Sequence, residues 1–269
     1  MPIATVGDLD IAYDIDGPET APAVLMINGL GADHGGWFQQ VPAISRDFRT
    51  ITFDNRDVGL TGPGRNPRRY GIPQFARDAA GLLDHLGIER AHIVGASMGG
   101  AIAQEFALTF PARTASVSIV CSWAKTDPWL AELFGDWERI FAAQGQRAFA
   151  RTSWLWVFTH RFYNTPGNLD LLLDGLDAAP RPQTAEEFIR QSQAAISHDA
   201  LARLGEIACP AHIIAGADDL LTPLRFSEEI AAAMPDARFT VMPNVGHGMF
   251  WETVDAFNDH IISFLNSAS

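Results

Sequence analysis

Gly95-Ala96-Ser97-Met98-Gly99 sets a serine among small residues in the pattern G-x-S-x-G. The apolar run His92-Ile93-Val94 precedes it, and the helix-forming stretch Ala101 to Leu108 follows. A strand that turns straight into a helix must hold the turn residue in a strained conformation. Glycines at the flanking positions leave room for that close approach. The turn lifts the serine hydroxyl above the strand end and aims the first helix amides at any negative charge formed beside it. Ser97 is the candidate nucleophile.

Around this turn the chain alternates. Ala4 to Asp14 reads as a hairpin edge. Strand-like runs follow at 23–27, 50–53, 91–94, 116–121, 211–215 and 239–242. Helix candidates lie between them at 39–45, 74–86, 101–110, 227–234 and 255–266. Such alternation implies an α/β fold, a mostly parallel central sheet flanked by helices on both faces. Ligands in these sheets sit beyond the carboxyl ends of the strands. The alternation breaks between about 124 and 205, a stretch helix-like throughout and too long for a simple crossover. It reads as a helical cap inserted after the sixth strand, giving a core of residues 1–123 and 206–269 and a cap of 124–205.

A serine hydroxyl needs a base within hydrogen-bond reach and a group that orients the base. Of the eight histidines, His247 lies in a glycine-flanked loop between a strand-like run and the final helix. His85, His92 and His212 fall within or at the start of regular elements, where structural roles fit. His198 and His260 suit surface or capping roles, and His34 is the rival base. The acid should follow a strand and precede the histidine. Asp218 and Asp219 both follow the run Ala211 to Gly216. Only one can point toward His247, and the other would cap the turn near Pro223. Asp127 is an outside candidate. When Ser97 attacks a carbonyl, the developing oxyanion needs donors already in place. The Met98 amide is one. The other should come from the loop Asn28-Gly29-Leu30-Gly31, where Leu30 is the expected donor.

Five ordered blocks carry a resemblance. Asn28 to Gly31, Phe53-Asp54-Asn55-Arg56-Asp57-Val58-Gly59, Gly95 to Gly100, Gly216 to Pro223 and Gly246-His247 resemble the signature blocks of α/β-hydrolases. Within that superfamily the chain is most similar to small serine esterases and lactonases, including 3-oxoadipate enol-lactonase-like proteins. The resemblance implies the triad Ser97, Asp219 and His247, and maps the acid onto Asp219 by its spacing from the glycine and the proline. It implies hydrolysis of a small apolar carboxylic ester or lactone through an acyl-enzyme, with no cofactor. Carbon–carbon hydrolysis of a diketone with the same triad, and a slow-turnover ligand receptor, are the alternatives. Two departures stand out. Relatives commonly carry His-Gly where Asn28-Gly29 stands, and Arg-Gly where Arg56-Asp57 stands. The second puts either an extra carboxylate near the active face or a capped turn at Asp57.

The expected cap is rich in aromatic residues. Most of these should pack its own underside, and the rest should line an apolar pocket. Trp123, Trp129, Trp154 and Met249 are the candidate pocket residues, with Met98 beside them. A net charge of −13 without an acidic block or basic stripe argues against nucleic acid. Neither paired histidines at helical spacing nor a Cys-x2-Cys pair suggests a metal. No run approaches transmembrane length, so no membrane partner is expected. Cys121 and Cys209 read as free thiols, which suits the cytoplasm.

Overall fold

A computed structural model describes residues 1–179 and 181–268. In chain order it contains β1 (Ile3–Val6), β2 (Leu9–Asp16), β3 (Ala23–Ile27), α1 (Val41–Ile44), β4 (Arg49–Phe53), α2 (Ile72–His85), β5 (Ala91–Ala96), α3 (Met98–Thr109) and β6 (Thr114–Val120). Then come α4 (Pro128–Val157), α5 (His160–Asn164), α6 (Asn168–Asp177) and α7 (Ala185–Ile196). The chain closes with β7 (Ala211–Gly216), α8 (Leu224–Ala233), β8 (Arg238–Met242), α9 (Met249–Glu252) and α10 (Val254–Ser267).

The eight strands form one sheet in the order β1-β2-β4-β3-β5-β6-β7-β8. β2 runs antiparallel to β1 and β4, and every other pairing is parallel. The central strand β3, Ala-Val-Leu-Met-Ile, is buried at all five positions, as a parallel strand covered on both faces must be. Successive side chains divide between the faces with the two-residue period of a strand. Leu25 and Ile27 join the core packed against Phe75, Leu82 and Phe106, whereas Val24 and Met26 join a second core with Trp37, Phe257 and Ile261.

The helices start where local chemistry allows. α3 begins at Met98, directly after Ser97 and three residues earlier than the apolar pattern suggests, because the sharp turn launches it. α7 carries a capping box: Thr184 accepts from the Glu187 amide, and the Glu187 side chain accepts from the Thr184 amide. Asp127 caps α4 through the Leu130 amide (2.8 Å) and pairs with Arg225, which removes it as a partner for His247. α4 bends at Gly145, whose φ of +79° interrupts the helical backbone.

Helices α4 to α7 lie over the carboxyl ends of the strands. Their entrance and exit are zipped together: Ala200 N donates to Ala124 O (2.7 Å), and Thr126 N donates to His198 O (3.0 Å). Lys125 and Asp199 form an antiparallel bridge between these bonds. A short 3₁₀ segment, Leu201–Glu206, then leads into β7, with Leu204 fully buried in the main core.

Candidate active site

Four loops at the carboxyl ends of parallel strands in one sheet bring the expected residues together: Leu30 after β3, Ser97 after β5, Asp219 after β7 and His247 after β8. Ser97 has φ +58° and ψ −123°, a conformation costly for a residue with a Cβ. The surrounding glycines are required. A Cβ on Gly95 would lie 2.0 Å from Gly99 O, and one on Gly99 would lie 2.1 Å from Ile27 O. The turn is anchored by Ser97 N donating to Val120 O (2.9 Å) and by the Ser122 hydroxyl donating to Ser97 O (2.8 Å).

His247 Nδ1 lies 2.8 Å from Asp219 Oδ2, both groups buried. Asp219 Oδ1 accepts from the Leu221 and Thr222 amides at 2.8 and 2.9 Å, which orients its carboxylate. Asp219, and not Asp218, meets the histidine. Asp218 is exposed and borders a separate cavity of about 730 Å³ beside His160, Arg161 and Tyr163. Burial alone would lower the His247 pKa. The Asp219 charge, with smaller contributions from Cys121 and the Asp219 hydrogen bond, outweighs it and holds that pKa well above 6.5. His247 Nε2 is buried without a hydrogen-bond partner. Ser97 and His247 line the same cavity.

The Leu30 loop is a turn closed by Ala32 N donating to Gly29 O (3.3 Å). Asn28 secures its base: Oδ1 accepts from Gly29 N (3.1 Å), and Nδ2 donates to Asp33 O (2.6 Å). Asn55 Nδ2 in turn donates to Asn28 O (3.1 Å). Gly31 N donates to Gln191 Oε1 of α7 (3.1 Å). The Leu30 and Met98 amides have no acceptor among the described residues.

The cavity has a volume of about 640 Å³. Ser97, His247 and the Leu30 loop form its floor, and Phe134, Trp137, Phe141, Phe149 and Trp154 of α4 line the other side. Of the aromatic residues expected there, Trp154 lines it. Trp123 does not: it is fully buried against Phe134 and His198, and its indole N–H donates to Thr126. Trp129 is 42% exposed and packs edge-on against Trp156 at the surface. Met249 and Met98 are fully buried on opposite faces of the sheet. Nearness in sequence to a catalytic loop did not say which face each side chain would take.

Asp57 is neither a free carboxylate at the active face nor a simple capped turn. It sits at φ +66° in the turn after β4 and is buried. It accepts two hydrogen bonds from Arg190 of α7 (2.9 and 2.6 Å) and one from the Tyr70 hydroxyl. His34 Nδ1 bonds Asp54 (2.7 Å), which commits it to the loop wall. Asp33, His34 and Asp54 bring one ligand atom each within 4.8 Å, a spacing that could hold a cation. Asp54 is already satisfied by the His34 ring, the His34 amide and the Leu60 amide.

Sequence reading missed Thr222, whose hydroxyl lies 2.9 Å from Asp219 Oδ2, 3.1 Å from His247 Nδ1 and 3.0 Å from Cys121 O. The spacing Asp-x-x-Thr, an aspartate whose side chain caps amides two and three residues on, is the signal that could have found it. It also missed Glu252, which accepts from the Gly246 and Thr159 amides at 3.3 and 3.0 Å and so ties the His247 loop to the end of α4.

A sequence-family model described as alpha/beta hydrolase fold matches residues 22–254. A protein of Azorhizobium caulinodans, provisionally named carbamate hydrolase RutD, is 32% identical over 266 residues, with 98% of each chain covered. The crystal structure of the enol-lactonase from Burkholderia xenovorans LB400 aligns with a TM-score of 0.89 at 28% identity, covering 98% of this chain and 100% of that one. An alpha/beta hydrolase enzyme from a Medee basin deep-sea metagenome library gives 0.90 at 25% identity, covering 98% and 97%.

Proposed function

The chain belongs to the α/β-hydrolase family, and on that premise we propose that it is a serine hydrolase cleaving a small, uncharged carboxylic ester or lactone. The observation that carries this reading is the buried His247–Asp219 pair (2.8 Å), whose free Nε2 belongs to a ring that shares a cavity with Ser97 on its positive-φ turn.

Ser97 Oγ attacks the carbonyl carbon and His247 Nε2 takes its proton. The carbonyl electron pair moves onto oxygen, where the Leu30 and Met98 amides receive it. Collapse expels the alkoxide, which leaves with the proton from His247. A water molecule, deprotonated by the same nitrogen, then releases the acid from Ser97. Asp219 holds the imidazole tautomer and balances the imidazolium charge. Hydrogen bonds of this kind are often long in ligand-free enzymes and tighten with substrate.

The cavity walls support an apolar, uncharged acyl group. No Lys or Arg lies among its lining residues, whereas Asp33 and Asp174 do. A substrate carboxylate would find no counter-charge there. Helices α4 to α7 are, on this reading, the cap, and the unpaired cysteines fit a cytoplasmic setting. Among the described residues no helix is long and apolar enough to cross a membrane.

The named carbamate hydrolase relative favours a second reading, attack of the same serine on a carbamate carbonyl. The test is hydrolysis of p-nitrophenyl esters from acetate to decanoate, with a matched carbamate and an enol-lactone, by wild type and Ser97→Ala. A drop of roughly 10⁴-fold or more in the variant is expected. Near-full activity in folded Ser97→Ala would refute the assignment, and the preferred leaving group decides between ester and carbamate.

A further inference from the structure

We infer that Gln191 of α7 is a positioning residue for the oxyanion site, so that the inserted helices complete the catalytic floor and do not merely cover it. The inference rests on the serine-hydrolase reading above.

Gln191 is fully buried, and its amide is used at both ends. Oε1 accepts from Gly31 N (3.1 Å) and from Gln183 Nε2 (3.2 Å), and Nε2 donates to Arg56 O (2.6 Å). The neighbours fix which atom is which: a flipped amide would set donor against donor at Gly31 and acceptor against acceptor at Arg56. Gln183 is held in turn by Asp57 O (2.8 Å). Two glutamines from the inserted segment thus grip the loops after β3 and β4 from above.

The grip falls at a sensitive place. Leu30 and Gly31 are the two central residues of the turn closed by Ala32 N and Gly29 O, and Gly31 has φ +71°. The peptide between the central residues of a β-turn is the one free to flip, because the two common turn types differ in its orientation. Gln191 holds that peptide by its N–H. The amide of the preceding peptide, Leu30 N, is then left without an acceptor beside Ser97. Without Gln191 the half-buried Gly31 N–H would lose its acceptor, and the turn would be free to reorient. An oxyanion donor displaced by about 1 Å loses much of its effect. Arg190–Asp57 also ties α7 down, and Arg181 links Glu187 of α7 to Gly59 O (2.9 Å), but neither arrangement touches Gly31.

The test compares wild type with Gln191→Met, which keeps side-chain length and loses all three hydrogen bonds, and Gln191→Glu, which keeps an acceptor for Gly31 while giving up the donor to Arg56 O. Three readings are taken: p-nitrophenyl ester kinetics, inhibition by an alkyl trifluoromethyl ketone, and ester binding to Ser97→Ala with and without Gln191→Met. The ketone carbon bonds to Ser97 Oγ and its oxygen becomes the oxyanion, so its affinity reports on that site directly. Gln191→Met is expected to lower kcat on the order of 10- to 100-fold with little change in KM. Ketone affinity should fall by the same factor, ester binding to the Ser97→Ala protein should hold, and Gln191→Glu should recover part of the loss.

Unchanged ketone affinity in Gln191→Met, or a rise in KM alone, would overturn the inference. So would an equal loss of kcat and ketone affinity in Arg190→Met, since Gln191 would then be only one of several anchors. Should Gln191→Met not fold, Gln191→Asn, one methylene too short to reach Gly31, should show the same paired loss of kcat and ketone affinity, and its absence there would equally overturn the inference. Failure of the ketone to inhibit wild type, with turnover retained in Ser97→Ala, would remove the serine reading itself and the inference with it.

Discussion

The ion pair between Asp57 and Arg190 offers a quantitative test of how α7 is held against the turn after β4. The Asp57 side chain is 2% exposed and that of Arg190 18%, so Arg190→Met strands a carboxylate in the interior. Removing one partner of a buried pair costs about 3–5 kcal/mol. Tyr70 still donates to Asp57, and Arg190 retains some water, which places the expected loss near about 3 kcal/mol. In a chain of 269 residues that corresponds to a fall in Tm of about 5–6 °C. Asp57 also holds φ +66°, which costs a residue with a Cβ about 1–2 kcal/mol. Asp57→Gly in the Arg190→Met background removes both the stranded charge and the strain, and should restore most of the loss. Urea unfolding followed by tryptophan fluorescence, with calorimetry in parallel, measures both steps. A single variant as stable as wild type, or a double variant no more stable than Arg190→Met, would refute the reasoning.

Other outcomes follow from the same geometry. The neutral imidazole of His247 is the proposed base and its pKa is held above 6.5 by Asp219 against burial, so kcat/KM should fall as pH drops through a value above 6.5; an acid limb below that value would contradict it. Because that pKa is raised on folding, the pair stabilises the fold fully below pH 6.5 and loses its contribution as pH rises through the folded value. Burial lowers His92 and His198 to about 4, so their contribution is present above 6.5 and lost toward pH 4, measurable as a fall in Tm on acidification. Phe149→Ala should cost about 3–5 kcal/mol and shift the ester profile toward longer acyl chains; an unchanged profile would place the acyl group elsewhere in the cavity. Gly99→Ala would set a methyl 2.1 Å from Ile27 O, and soluble, active protein from that variant would mean the elbow is looser than described.

Much of the site was legible because its chemistry is local. The Ser97 elbow needs its glycines within two residues, and the neighbouring strand β3, Ala-Val-Leu-Met-Ile, declares itself by an unbroken apolar run. The choice between Asp218 and Asp219 is a question of side-chain direction at a strand end, and the resemblance indicated it sooner than spacing could. What stayed hidden depends on partners far along the chain. Asp57 looked like an oddity of a turn because Arg190 lies 133 residues away, and no pattern at Gln191 points to Gly31. The pocket aromatics were misassigned for a related reason. A helix covering a site has one face toward the cavity and another toward its neighbours, and only packing decides that Trp154 takes the first and Trp129 the surface.

The zipped junction at Lys125 and Asp199 bears on how this enzyme could be rebuilt. With Ala124 and Ala200 joined by a 2.7 Å hydrogen bond, the whole helical segment leaves and rejoins the sheet at one point, like a cassette on a single connector. A foreign insert could be spliced there without moving any strand. Such a chimera would receive a new pocket but would lack the glutamine above Gly31 and the Val157 carbonyl that accepts from Gly248 N (2.8 Å). A graft that transplants specificity alone should therefore turn over slowly until those two contacts are supplied with it.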